Sequence, residues 1–325
     1  MSVKTLEVIG ENFNTSRRIK GTSPRVEKTA DGAALNYVDH HGKACQLDIT
    51  DIYPDDEAEL PKFQIPHVAQ AVRQKNVDYI EWIIRAQIDA GATIIDICVD
   101  EISVDPDERN VWMKWIVPVA QEIAGVTLAI DSSDPATILA GLEVYDMTKS
   151  RPAINSVNLE EGRHEFIGLA KDHNALLFAN ASGRDGMPQD DKERVENMLE
   201  IMGMMDDASI PMTDRYLDPL AFPIGAGTEY GNHYLDAVRE LRQRFPDVHI
   251  FGGHSNISFG LPSRKAANNA FLILAILAGC DTLMIDPIMN PAAADEEFLI
   301  ASDTILNKDE FAMNYMAYFR AKKKR

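Results

Sequence analysis

Carboxylates and carboxamides recur at one kind of place in this chain, where a short apolar run gives way to small residues. Asp96 lies in TIIDICV with Cys98 close behind, Asp131 and Ser132 close VTLAIDS, and Asn155 with Ser156 stands in PAINSV. Asn180 and Ser182 follow ALLFA, Asp218 falls in RYLDPL, Ser255 and Asn256 follow VHIFGGH, and Asp286 ends TLMID. Glu11, Asn12 and Asn14 hold the same place after the first run, LEVIG. No serine–histidine–aspartate set stands out for nucleophilic catalysis. No HxH opens a metal-dependent hydrolase site, and no lysine ends a run as a Schiff base requires. Acids and amides suit a flat partner rich in donors and acceptors, such as a heterocycle with ring N–H, amino and carbonyl groups. A carboxylate accepts two hydrogen bonds from a guanidine-like edge, and a carboxamide both gives and accepts. The competing reading of each residue is a helix cap, since Asp, Asn and Ser favour that position.

The elements that must position these groups alternate. Each apolar run has the β-branched, near-continuous character of a strand buried on both faces. Helical spacing follows each one: over 66–90 up to Gly91, 108–124, from Asp134 and Pro135, near 161–173, 190–208 and 230–245, after Pro262, and over 294–306 and 308–321. Asp134 is an expected N-cap, with Pro135 at the first helical position. Eight strand–helix units predict an α/β chain, a (β/α)8 TIM barrel formed by one domain over residues 1–325, with its chemistry at the C-terminal ends of the strands. Residues 21–65 interrupt the rhythm after the first strand. Within them AALNYVDHHGKACQLDI predicts a β-hairpin insertion on the catalytic rim, turning at HHGK. Neighbours in a strand point to opposite faces, so His40 and His41 are read as turn residues rather than as ligands of one metal.

Composition narrows the function classes. The 325 residues carry 51 acidic against 32 basic side chains, a formal net charge of −19, with no basic face for nucleic acid. The terminal RAKKKR reads as a solvated end. Cys45, Cys98 and Cys280 are too scattered for a CxxC zinc or redox pair. The start lacks a signal-peptide core, and AFLILAILAG is too short to span a bilayer, so a cytoplasmic protein with no membrane partner is expected.

Taken in order, IGENFN, DICVD, AIDSSD, AINSVN, YLDPL and GGHSNISFGLPSR resemble the methyltetrahydrofolate:corrinoid protein methyltransferases, pterin-binding barrels related to dihydropteroate synthase. The resemblance runs over nearly the whole barrel, and IDS, INS, LDPL and SNISFGLP are specific in combination. It implies that the pterin of tetrahydrofolate is held by Asp131, Asn155 and Asp218, with Asn256 beside the methylated ring nitrogen as the catalytic residue. Asp96, Gly253, Ser255 and Arg264 are expected as further pterin contacts, the glycines letting the backbone approach and Pro262 restarting the helix. Two departures stand out. Relatives often read DxNVG where this chain has DICVD, so Cys98 replaces an Asn and reads as a small buried hydrophobe rather than a nucleophile. The 21–65 insertion is absent from the most compact relatives, and its expected use is to shape docking of the corrinoid protein.

The resemblance implies transfer of a methyl group, in either direction, between methyltetrahydrofolate and the cobalt of a corrinoid (cobalamin) on a partner protein, in anaerobic one-carbon metabolism. It also implies a homodimer and requires no metal in the barrel. Two other readings remain open. A dihydropteroate synthase would use Ser263, Arg264 and Lys265 in pyrophosphate loss, which SNISFGLP argues against, and a non-catalytic pterin or corrinoid-protein binding module would bind without turnover.

Overall fold

A computed structural model describes residues 6–290, 292–305 and 309–323. In chain order its strands are β1 (Glu7–Asn14), β2 (Ile19–Lys20), β3 (Val26–Thr29), β4 (Gly32–Val38), β5 (Ala44–Asp48), β6 (Gln64–Ile65), β7 (Ile94–Cys98) and β8 (Thr127–Asp131). They continue with β9 (Ala153–Val157), β10 (Leu176–Asn180), β11 (Arg215–Asp218), β12 (His249–Ile250) and β13 (Thr282–Ile285). The helices are α1 (His67–Arg73), α2 (Val77–Asp89), α3 (Pro106–Ala124), α4 (Pro135–Glu143) and α5 (Glu165–Asp172). After them come α6 (Asp191–Asp207), α7 (Tyr230–Arg244), α8 (Arg264–Ala278), α9 (Ala292–Ile305) and α10 (Met313–Lys322). Eight strands form one sheet in the order β12-β11-β10-β9-β8-β7-β1-β13. A parallel bridge between Gly253 and Met284 and a backbone hydrogen bond from Asp281 N–H to the Ile250 carbonyl at 3.2 Å join β12 to β13, so the strand order closes on itself. This is the (β/α)8 topology that the eight strand–helix units predict.

Contacts divide the chain into two compact units. One covers Gly10–Val157 and Gly162–Phe178. Its strand β7 is buried at every position, as a central parallel strand covered by helices on the outside must be. The helices start where short polar side chains can satisfy free N–H groups. The Asp105 carboxylate accepts from Asp107 N–H before α3, and Asp134 from Ala136 N–H before α4, each with proline in the first turn. Two expectations need correction. The span 66–90 is not one helix: Lys75 takes a left-handed φ of 51°, and the Asn76 side chain caps α2 afresh. The insertion is more than a hairpin, because β3 adds to β4 and β5 in a three-stranded antiparallel sheet, while β2 and β6 form a separate antiparallel pair. Its turn is organised by Asp39, whose carboxylate accepts from His41 and Lys43 N–H, with Gly42 at φ 81°. His40 and His41 lie in this turn with their rings 3.9 Å apart.

The other unit covers Ala179–Arg325 with short segments from earlier in the chain. In α6 the residues Val195, Met198, Ile201, Met202 and Met205 form the buried stripe, and Arg194 is buried with them. Helix α8 begins at Arg264 after Ser263, not at Pro262, which stays two residues outside it. Among the described residues no helix is long and apolar enough to cross a membrane.

Candidate pterin-binding site

In the first unit the strand register assembles the polar row. Cys98 on β7 pairs with Asp131 on β8, and Asp131 pairs with Asn155 on β9, so three neighbouring strands place their polar residues side by side. Two residues earlier on β7, Asp96 is 1% exposed and accepts a 3.1 Å hydrogen bond from Asn155 Nδ2. Burial, and then the charge of Asp131, hold the Asp96 carboxyl well above the usual carboxylate range. Burial also pushes Asp131 up to about 7, opposed by the hydrogen bond from the Cys98 thiol and by Arg163. Burial and neighbouring carboxylates raise both carboxyls, Asp96 more strongly, a pair of acids that cannot both ionise in this setting. Cys98 is buried, as expected of a hydrophobe, but its S–H also serves Asp131; burial raises its pKa, so it is not poised as a thiolate nucleophile. The Asn155–Ser156 peptide is cis.

The loop after β8 is held from two sides. Asp100 accepts from Ser132 Oγ at 2.5 Å and from the N–H and Oγ of Ser133, both at 2.7 Å. Arg163 donates to the Ser132 and Ser133 carbonyls at 3.1 and 2.5 Å. At the end of β1, the buried Gln87 side chain accepts from Asn12 N–H at 2.8 Å. The Oδ1 atom of Asn12 is buried and has no hydrogen-bond partner among the described residues. A buried acceptor without a donor is costly unless something else supplies one.

The second unit builds around Asp218. One carboxylate oxygen accepts from Leu220 N–H at 2.8 Å, Gly253 N–H also donates to the carboxylate, and burial pushes its pKa up to about 7 against these donors and Arg194. Leu220 holds a left-handed φ of 69°, which turns its N–H back toward Asp218. Gly252 leaves room for this arrangement: a Cβ there would lie 2.7 Å from Tyr234 Oη and 3.0 Å from Asp218 Oδ1. The Tyr234 hydroxyl donates to the Phe251 carbonyl and lies 3.2 Å from His254 Nε2. Asn256 is exposed in the 3-10 turn His254–Ser258, eight residues ahead of α8, so it is not the cap of that helix. Arg264 points back into the same turn, donating to the Ser255 carbonyl at 2.7 Å and to Ser258 Oγ at 3.0 Å. It braces the segment that carries Gly253, Ser255 and Asn256.

The structure thus places Asp96, Asp131 and Asn155 in one cluster and Gly253, Asp218, Ser255, Asn256 and Arg264 in another. Elsewhere the polar residues at the strand ends serve local turns rather than helix caps. Asn14 accepts from Ser16 N–H, Asn180 from Ser182 N–H, and Asp286 from the N–H groups of Ile288 and Met289. Sequence reasoning passed over Arg194, Arg163 and Asp100, and it read Gly252 as backbone access rather than as room for Tyr234 and Asp218. For Arg194 a signal was present, a charged residue four and seven positions before Met198 and Ile201 on the apolar stripe of α6. For Asp100 and Arg163 there was none, because each acts on a loop remote in sequence. Among the described residues no group of three or more His, Cys, Asp or Glu is arranged to hold a metal ion.

The chain is 28% identical over 259 residues to a methylcorrinoid:tetrahydrofolate methyltransferase of Eubacterium limosum, covering 79% of this chain and 92% of that one. It is 30% identical over 216 residues to methionine synthase of Mycobacterium tuberculosis, a match that takes up 62% of this chain and 18% of that longer protein. Among solved structures, Yersinia pestis dihydropteroate synthase with a pterin–sulfa conjugate shares the fold, with a TM-score of 0.56 at 18% identity over 71% of this chain and 90% of that one. The sequence profile of the pterin binding enzymes matches residues 68–286, which contain Asp96, Asp131, Asn155, Asp218 and Asn256 and leave the 21–65 insertion outside; the chain belongs to the pterin-binding enzyme family.

Proposed function

We propose that this protein is a methyltransferase moving a methyl group, in either direction, between methyltetrahydrofolate and the cobalt of a corrinoid carried by a partner protein. The observation that carries the reading is the similarity along almost the full length of the Eubacterium limosum methyltransferase, whose name states both substrates. The residues fit a pterin. Asp218 and Asp131, buried acids with pKa values near 7, gain from ring N–H and amino donors that favour their ionised forms. The orphaned Asn12 Oδ1 is a further acceptor for such a donor. Asn155 donates to Asp96 beside Asp131, and the Gly253 N–H serves Asp218.

When bound, the corrinoid supplies the cobalt that gives or takes the methyl group. The chain's share is to hold the pterin and manage its ring nitrogen. As the carbon–nitrogen bond breaks, its electron pair stays on nitrogen, which must gain a proton to leave. Asn256 is exposed and its carboxamide has no partner among the described residues, so it is available to hydrogen-bond the protonated nitrogen. A positioning and electrostatic role of this kind needs no strong acid at the reacting atom. The same reading takes the protein to be a cytoplasmic homodimer of anaerobic one-carbon metabolism, with the 21–65 insertion shaping the approach of the corrinoid protein.

Calorimetry with tetrahydrofolate, paired with an assay for pyrophosphate release from a pterin pyrophosphate and p-aminobenzoate, tests the reading. Tetrahydrofolate binding without pyrophosphate release is expected. Pyrophosphate release would replace the proposal with dihydropteroate synthesis.

A further inference from the structure

Arg194 is the largest fully buried side chain described, at 0% exposure. Burying a guanidinium is costly unless its donors are met and its charge serves a purpose. Its donors go to main-chain carbonyls: Nη1 to Asp190 at 2.8 Å, and Nε and Nη2 to Leu220, both at 3.4 Å. Its flat face lies 4.5 Å from the centre of the Phe222 ring. The group thus grips the loop that follows Asp218 from both its edge and its face. The carbonyl it holds belongs to the residue whose N–H bonds Asp218, and that residue sits in the left-handed backbone region.

We propose that Arg194 is the positioning residue for Asp218. It fixes the backbone at Leu220 by holding that residue's carbonyl, so that the N–H of the preceding peptide meets the Asp218 carboxylate, and it places a positive charge near that carboxylate. The consequence for pterin binding rests on the function proposed above; the effect on Asp218 itself does not. The other groups around Asp218 cannot substitute. Burial raises the pKa of Tyr234 and pushes Cys280 up to about 12, and it brings His254 down to about 3, so all three are neutral near pH 7. The Asp190 carboxylate is held ionised by the Glu193 N–H, while its main-chain carbonyl is the partner of Arg194 Nη1.

The test uses the ligand-free protein first. The folded pKa of Asp218 is raised from 3.8 to about 7, so the folded chain binds more protons than the unfolded one between those values. The stability Asp218 permits is therefore present at low pH and lost as pH rises towards 7. The difference in melting temperature between Asp218→Asn and its parent should grow over that window and level off near pH 7. In an Arg194→Met background the growth should continue about one pH unit further, the size expected for loss of a nearby opposite charge. Arg194→Lys, which keeps the charge, should restore the earlier plateau, and Arg194→Gln replaces the Met variant if that protein fails to fold. A plateau unmoved in both the Met and Gln backgrounds would overturn the proposal, whatever tetrahydrofolate does. Tetrahydrofolate titrations of the same variants form the second arm, where binding should weaken about tenfold at pH 7 and recover at higher pH. A shifted plateau with no tetrahydrofolate binding by the parent protein would leave Arg194 as proposed and sink the pterin reading alone.

Discussion

The two buried acids Asp131 and Asp218 are where residue chemistry is most open to experiment. Each sits near pKa 7 because burial disfavours its charge, and each is expected to meet pterin N–H donors as a carboxylate. Removing Asp218 as Asp218→Ala should weaken tetrahydrofolate binding by about 1.5–3 kcal/mol, the loss of a charge-assisted hydrogen-bonding partner. Calorimetry showing unchanged affinity would remove it from the site. The pH dependence follows with a definite sign. Below pH 7 a proton must leave before the carboxylate accepts from the ligand, so affinity should fall about tenfold per pH unit for each acid involved and stay flat above 7. An affinity independent of pH from 5 to 8 would contradict this. Asn256 offers a different kind of evidence. It is exposed and caps nothing, so Asn256→Ala should leave the melting temperature nearly unchanged. It should lower the methyl-transfer rate constant about ten- to a thousandfold, more than it raises the dissociation constant for methyltetrahydrofolate. Stopped-flow rates and equilibrium titrations on one variant separate the two effects. Asp131, Asn155 and Asp218 were legible in the sequence because a strand end announces itself by an apolar run stopping. Asn12 was legible as a residue but not as a buried acceptor lacking a donor, since that depends on what surrounds it.

At the scale of elements, the loop 250–264 shows why glycine is placed where it is. Gly252 does not have a left-handed φ; what forbids a side chain is space, with Tyr234 Oη and Asp218 Oδ1 in the way. Gly252→Ala should therefore cost about 1–3 kcal/mol of stability through overpacking and weaken tetrahydrofolate binding by displacing Asp218. A thermal melt and a titration check both, and a variant that melts and binds like its parent would show that Tyr234 yields freely. The element boundaries missed from sequence were those set by backbone conformation rather than composition. The break between α1 and α2 falls at Lys75, a residue with no turn signature, inside a stretch whose apolar spacing continues. Strand β3, Val26–Thr29, reads VEKT and gives no apolar alternation; it is a strand because β4 pairs with it from Thr29–Gly32 to Val26–Leu35. Caps fared better, since the Asp134–Pro135 pair states both the end of a loop and the start of a helix.

For the whole molecule, the eightfold alternation was readable because parallel strands buried on both faces are long on Val, Ile and Leu and short on charge. The order β12-β11-β10-β9-β8-β7-β1-β13 follows from it. The family profile begins at residue 68, so strand β1 and the antiparallel insertion both lie outside the matched span. The central claim is methyl transfer, and anaerobic mixing of the protein with methyltetrahydrofolate and cobalt(I) cobalamin tests it most directly. The cobalt(I) absorbance should disappear at a rate proportional to protein concentration, with one tetrahydrofolate formed per cobalt consumed, and Asp218→Ala should slow it at subsaturating methyltetrahydrofolate. Methyltetrahydrofolate that binds while the cobalt(I) absorbance persists, with free cobalamin and with a corrinoid protein alike, would contradict the account and leave a pterin-binding protein without this reaction.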